Sequence, residues 1–339
     1  MGHQKSDKTP KMAENFYFNR DFEAFEEFAE NLRLWNIQIR KLQCGESTNT
    51  LKQLQLGEMQ LAYGFVPDKT HQIGGTPPGR TIAFHAGRNS KLVWRKKEVP
   101  YNGLMIFPNN SELDAVTKGT HNHIYTITIP EDILASRGEV EEQEKYRTLV
   151  TTQDLIFIPK NHINRLKTLF QICFQAIDNK PELIASRIFE EKMQIDFLDA
   201  VTQAIIPTMR TTARSPRATK YQTWQKIEEV IKFTLNAPLT VSELSRTVGV
   251  SERTLLRLFQ ERFGISPKAY LCKIRLNGVR HNLTISSPGE VKIADIANVW
   301  GFWHMGQFAS DYKQLFGELP SATLTKIRST FDKEQNLRS

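Results

Sequence analysis

Cysteine is scarce: the 339 residues hold three, Cys44, Cys173 and Cys272, far apart and in no CxxC pair. That excludes a disulfide framework and a cysteine-rich zinc module, and it agrees with a reducing compartment. Long apolar runs are missing too. None approaches the ~20 residues of a membrane-spanning helix. No basic-then-apolar leader opens the sequence. A soluble, cytoplasmic protein without a membrane partner is therefore expected. Chemistry-bearing clusters are equally thin. No two-histidine, one-carboxylate set for oxygenase chemistry can be assembled. None of the cysteines lies in a basic motif that would activate its thiol. The expectation is no catalytic residue, no cofactor, no metal and no enzyme activity.

Positive charge is present but unevenly placed. The chain carries +8 overall. Residues 1–207 have 25 Lys and Arg against 26 Asp and Glu, whereas 208–327 have 17 against 9, and 328–339 have 3 against 2. A basic segment joined to a near-neutral one is the electrostatic footprint of nucleic-acid binding, although a solvated basic surface would look alike.

The basic segment contains a pattern written twice. Leu244, Val248, Gly249, Val250, Leu255, Phe259, Phe263, Gly264 and Pro267 recur as Ile296, Trp300, Gly301, Phe302, Phe308, Tyr312, Phe316, Gly317 and Pro320. A short helix, a glycine turn and a second helix, repeated, read as two helix-turn-helix units. Such a unit lays its second helix in the DNA major groove. In the first unit Thr240-Val241-Ser242-Glu243 reads as a capping box, with Leu239 and Leu244 placed as its hydrophobic staple. A helix over Val241–Val248 follows, then Gly249 at the turn and Ser251 as N-cap of a helix over Glu252–Phe263. Leu255, Leu258 and Phe259 face inward there, leaving Arg253, Leu256, Arg257 and Gln260 for DNA. Arg257 can pair with guanine and Leu256 can meet a thymine methyl. A phosphate contact, or an i,i+4 ion pair with Glu261, are the other readings of Arg257. The second unit reads as Ile293–Val299 and Met305–Phe316, with His304, Met305, Gln307 and Ser310 exposed and Trp303 packed over the domain. A helix over Pro267–Leu283 joins the units and would set the second helices about one DNA turn, ~34 Å, apart.

The front of the chain has another rhythm. Residues 1–15 are polar and expected to be disordered. Residues 16–30 read as an amphipathic helix through Phe18, Phe22, Phe25 and Phe28. Between 34 and 130, β-prone runs (Leu34–Leu42, Met59–Val66, Arg80–His85, Leu92–Arg95, Gly103–Phe107 and Ile124–Ile129) alternate with turns, as in an antiparallel sandwich or barrel. Its interior could hold a small ligand against Tyr63, Phe65, Phe84, Trp94, Met105 and Phe107, or those residues could simply fill a core. His121 and His123, one strand step apart, are the nearest approach to a metal pair, without a third ligand. Helical faces at Ile163–Ile177 and Phe189–Ile205 serve either dimerisation or packing on the barrel. Thr208–Lys220 is basic and reads as a flexible linker. The expected fold is α+β. A β-rich effector-binding and dimerisation domain over 16–207 precedes the basic linker 208–220, an all-α domain over 221–327 and a tail over 328–339.

The residues from Tyr221 to Ile327 closely resemble the AraC/XylS family of bacterial transcription regulators. SERTLLRLFQERFGISP, KIRLNGVRHNL and GFWHMGQFASDYKQLFGELP carry the likeness. The spacing of GF, of F-x-x-x-Y/F-K and of F-G is specific, and WH-x-G with FGELPSATL looks most like the XylS branch. By resemblance, Arg253, Leu256 and Arg257 fall on base-contacting positions of the first unit, and Met305, Gly306, Gln307 and Ser310 on those of the second. Many relatives have Arg where this chain has Ser310. The resemblance further implies a cupin-like N-terminal domain that binds a small-molecule effector. It also implies a homodimer on double-stranded DNA and recruitment of RNA polymerase as an activator. The alternatives are a metal-dependent cupin-like enzyme or alkyl acceptor fused to a DNA-binding module, a repressor, and an architectural DNA-binding protein.

Overall fold

A computed structural model describes residues 14–45, 47–87, 90–131, 133, 153–205, 218–234, 239–286 and 291–326. The expected disorder over 1–15 and the tail over 328–339 lie wholly or almost wholly outside the described residues, as does most of the linker stretch.

Among the described residues, twelve strands form two antiparallel sheets. The first has seven strands: β1 (Phe16–Phe22), β3 (Asn49–Leu56), β4 (Met59–Val66), β11 (Asn122–Ile129), β6 (Arg80–Ala86), β9 (Gly103–Phe107) and β12 (Leu155–Phe157), in that spatial order. The second has five: β2 (Asn36–Lys41), β5 (Thr70–Gly75), β10 (Glu112–Thr117), β7 (Leu92–Trp94) and β8 (Lys97–Val99). Alternation along each strand splits its side chains between two faces. On β9, Leu104 and Ile106 face a core shared with helices α2 (Lys160–Asn179) and α3 (Arg187–Ile205). Met105 and Phe107 instead pack with Trp94, Val99 and Leu113 of the other sheet.

Residues 16–30 are not one helix. Phe16–Phe22 pairs as a strand with Asn49–Leu56, and only α1 (Phe25–Asn31) is helical. Pairing along a whole strand outweighs a four-phenylalanine helical pattern, because Phe22, Phe25 and Phe28 reach one core either way. Nor do the six aromatic and Met candidates line one interior. Trp94, Met105 and Phe107 lie between the sheets, whereas Phe84 and Tyr63 pack on the side of α2 and α3. Phe65 stacks near His121 and His123. The inter-sheet cavity beside Phe28, Trp35 and Leu51 is only about 60 Å³, since the apolar faces of both sheets fill it.

Among the described residues the C-terminal region is all-helical: α4 (Ala218–Phe233), α5 (Val241–Val248), α6 (Glu252–Phe263), α7 (Pro267–Ile285), α8 (Ile293–Val299) and α9 (Met305–Phe316). Helix α4 begins inside the basic stretch, at Ala218. Two separate cores support the repeated units. Trp224, Ile227, Leu244, Leu255, Phe259, Phe263 and Tyr270 make the first, and Val279, Leu283, Ala297, Phe308, Tyr312 and Leu315 the second. The layers therefore run from α2 and α3, through the seven-stranded and then the five-stranded sheet, to the helical region. Leu42, Val93 and Val116 of the N-terminal region join the first helical core directly.

Candidate nucleic-acid interface

Helix α5 starts as its sequence dictates. Thr240 Oγ1 accepts from the Glu243 backbone N–H at 3.2 Å, and Glu243 Oε2 accepts from the Thr240 N–H at 2.8 Å. Gly249 ends the helix at φ +77°. A residue with a Cβ would be strained there, and the turn needs that backbone to launch α6. Ser251 caps α6 by accepting from the Thr254 N–H at 3.2 Å, and Gly264 closes it at φ +69°.

These caps fix which face of α6 is free. Leu255, Leu258, Phe259, Arg262 and Phe263 are buried. Arg253, Leu256, Arg257 and Gln260 are exposed. Neither Arg253 nor Arg257 forms an ion pair among the described residues, and Leu256 is 46% exposed. The i,i+4 pair of Arg257 with Glu261 is thus not formed. Two free guanidiniums flanking an exposed leucine make a surface able to bond guanine or phosphate and to meet a thymine methyl.

The second unit presents a weaker surface. His304, Gly306, Gln307 and Ser310 are exposed, while Met305 is half-buried against the second core. Gln307 Nε2 donates to Asp311 Oδ1 at 2.7 Å, which holds that amide along the helix. Trp303 does not pack over the domain as expected; it is 67% exposed. Trp300 takes the packing place, its ring pressed on Gly278 of α7, where a Cβ would stand 2.2 Å away.

A polar seam that no sequence motif announces joins the N-terminal region to α6 and α7. Arg262, 4% exposed, bridges Asp114 of β10 and Glu228 of α4, the latter at 2.5 Å. Asp114 also bonds His71 Nε2 at 2.9 Å, and His71 Nδ1 meets the Tyr270 hydroxyl at 2.8 Å. Burial drives the His71 pKa down to about 4, so the ring is neutral, accepting from Tyr270 and donating to Asp114. Burial pushes the Asp114 carboxyl up, but the His71 bond and the Arg262 charge outweigh it and hold the group well below the usual carboxylate range. On α7, Asn277 bonds both backbone groups of Lys41 on edge strand β2, at 2.8 and 3.1 Å. Arg280 bridges Glu26 of α1 and Glu318 beyond α9. These partners lie up to 254 residues apart in sequence, so local patterns carry no trace of them.

Of the histidine pair, His123 Nδ1 bonds the Tyr63 hydroxyl at 2.9 Å. Among the described residues no three His, Cys, Asp or Glu side chains gather as metal ligands, and no helix is long and apolar enough to cross a membrane.

Similarity to known proteins is concentrated in the helical region. Residues 244–326 match the family model described as a helix-turn-helix domain. The chain is 42% identical over 90 residues to the probable thc operon regulatory protein of Rhodococcus erythropolis, covering 26% of this chain and 27% of that protein. It is 32% identical over 105 residues to the XylDLEGF operon transcriptional activator of Pseudomonas putida, covering 31% and 33%. The chain thus spans a third or less of the length of these relatives. Among solved structures, the AraC-like transcriptional activator CuxR aligns over 77% of this chain and 94% of its own, at 14% identity and TM-score 0.40. A probable AraC family regulator from Rhodopseudomonas palustris aligns over 31% and 96%, at 31% identity and TM-score 0.28. With a side-chain-capped first helix pair, glycine turns in both units and these sequence matches, residues 244–326 form a helix-turn-helix domain similar to that of the XylDLEGF operon transcriptional activator.

Proposed function

We propose that this chain is a sequence-specific, double-stranded-DNA-binding transcription regulator that responds to a small-molecule effector and activates transcription as a homodimer. The observation that carries the reading is the free face of α6. Arg253, Leu256, Arg257 and Gln260 stand exposed on a helix whose opposite face is locked into a core. Arg257 and Leu256 supply base contacts, and Arg253 and Gln260 extend them along the groove. In α9, His304, Met305, Gly306, Gln307 and Ser310 form the second contact. It is poorer in charge and contributes less discrimination. The name of the Pseudomonas relative, a transcriptional activator, supports the sign of regulation and RNA polymerase as partner. The exposed Ile172, Ile188 and Ile195 on α2 and α3 support pairing of two copies through those helices.

Selection of bound sequences from random duplex DNA by the full-length protein, at near-physiological salt, tests this. The expected product is a motif of two short elements about one helical turn apart, repeated for a second subunit. Recovery of no motif, with binding that fades as salt rises, would reduce the protein to non-specific phosphate attachment.

A further inference from the structure

The turn of the second helix-turn-helix unit holds three large aromatic residues, Trp300, Phe302 and Trp303, and only two of them find cover. Trp300 lies on Gly278 of α7. Phe302 packs beside Phe308 of α9, with 5.3 Å between ring centroids, and its backbone N–H donates to the Ala297 carbonyl at 2.9 Å. Gly301, at φ +76°, bends the chain between them. Trp303 is left outside, 67% exposed. Among the described residues its indole has neither a ring partner nor a hydrogen bond.

A lone exposed apolar ring is common on protein surfaces, but the place of this one is informative. It directly precedes His304, the N-cap of α9, and a recognition helix meets base edges with its N-terminal residues. Gly306 in the first turn is open: a Cβ there would meet nothing within 4 Å. His304 makes no side-chain cap bond, so the first-turn N–H groups of α9 keep their attraction for phosphate. Arg275 of α7 holds its guanidinium over the Phe302 ring, 5.2 Å from the centroid, and forms no ion pair among the described residues. Positive charge thus stands beside the exposed indole, and a polyanion is the surface that fits. The rest of α9 has little with which to read bases. The Gln307 amide is held by Asp311, and the exposed Ser310 is short. An apolar ring offers what they lack, contact with the C5 methyl of thymine, which the major groove displays.

We propose that Trp303 is a specificity-determining residue of the second unit, its indole packing on a thymine methyl in the major groove while Arg275 holds a neighbouring phosphate. The assignment rests on the DNA-reading function proposed above. It gives the two units different chemistries. The first reads with the guanidinium of Arg257, which suits guanine, and the second with an apolar ring, which suits thymine. The charge-poor α9 then still discriminates, through shape and burial rather than through hydrogen bonds.

The test uses the full-length protein and the site it recovers from a random duplex pool. Each thymine of the second element is replaced in turn by deoxyuridine, which keeps the base pair and removes only the methyl. One replacement should weaken wild-type binding about fourfold, the worth of one buried methyl group. In Trp303→Ala the same replacement should cost nothing, and the intact site should already be bound about fourfold more weakly. Trp303→Lys, whose charge replaces lost affinity through phosphate, should also be indifferent to the methyl. Because the ring is exposed, Trp303→Ala should melt at the wild-type temperature. Methyl sensitivity retained in either variant would overturn the proposal, as would a second element without thymine or a wild type indifferent to every replacement. A lowered melting temperature in Trp303→Ala, or lost self-association with unchanged DNA binding, would also overturn it, by assigning the ring to the fold or to a second copy. Recovery of no site would bring down the DNA-reading function itself, whereas a recovered site blind to Trp303 brings down the thymine contact alone.

Discussion

At Gly278 a single hydrogen in place of a side chain sets how close α8 can come to α7. The Trp300 ring occupies the space a Cβ would need. In a helix interior, Gly→Ala ordinarily stabilises by up to ~1 kcal/mol. Here the sign should reverse. Gly278→Ala should destabilise by about 1–3 kcal/mol through overpacking, with some of the loss recovered by adding Trp300→Leu. Denaturant melts of the single and double variants check this, and an Ala variant as stable as wild type would dismiss the contact. His71 supports a second prediction at this scale. Its pKa falls from 6.5 in the unfolded chain to about 4 in the fold, so the unfolded state binds the extra proton between those values. Stability is therefore full above about pH 6.5 and drains as pH falls toward 4. The loss is roughly 3 kcal/mol from this ring, and the depressed Asp114 carboxyl adds to it at still lower pH. Denaturation at pH 7 and pH 5 should show the drop, and His71→Gln should flatten it. Equal wild-type stability at both pH values would contradict a buried neutral histidine.

Elements were legible wherever they are built from local signals. The caps of α5 and α6 sit on the residues that announce them, Thr240 with Glu243 and Ser251 with Thr254. Both helices span the expected residues, as do α8 and α9. Thr240→Ala should accordingly cost about 1 kcal/mol of domain stability, read as a lowered melting temperature. No change would mean that the box is ornamental. Strands were harder. β4, β6 and β9 show apolar runs, but β3 (NTLKQLQL) carries Gln53 and Gln55 buried, and a buried glutamine reads as a surface residue in sequence. Its cost is met by distant bonds: Gln53 Nε2 donates to the Arg33 carbonyl at 3.0 Å. β5 (THQIGG) has no apolar alternation, because one of its faces meets α6 and α7 through His71. A strand buried under another region of the chain by polar contacts leaves no periodic trace.

Across the whole molecule, the residues on the exposed face of α6 could be named from sequence because a repeated motif carries them. The seam could not, because it pairs residues from opposite ends of the chain. That seam gives the architecture its logic. The N-terminal region grips α6 through Arg262 and α7 through Asn277 and Arg280, and leaves the Arg257 face open. Holding α7 and α6 from behind fixes the frame on which both helix-turn-helix units stand. The central claim is that the exposed face of α6 reads bases. The most direct measurement is parallel selection from one random duplex pool by wild type and Arg257→Ala. If the claim holds, the variant recovers the same motif with one base position relaxed, at a cost of about 1–3 kcal/mol on the wild-type site. An unchanged motif, with affinity lowered equally on every sequence, would show that Arg257 holds phosphate alone and would contradict base reading by this residue.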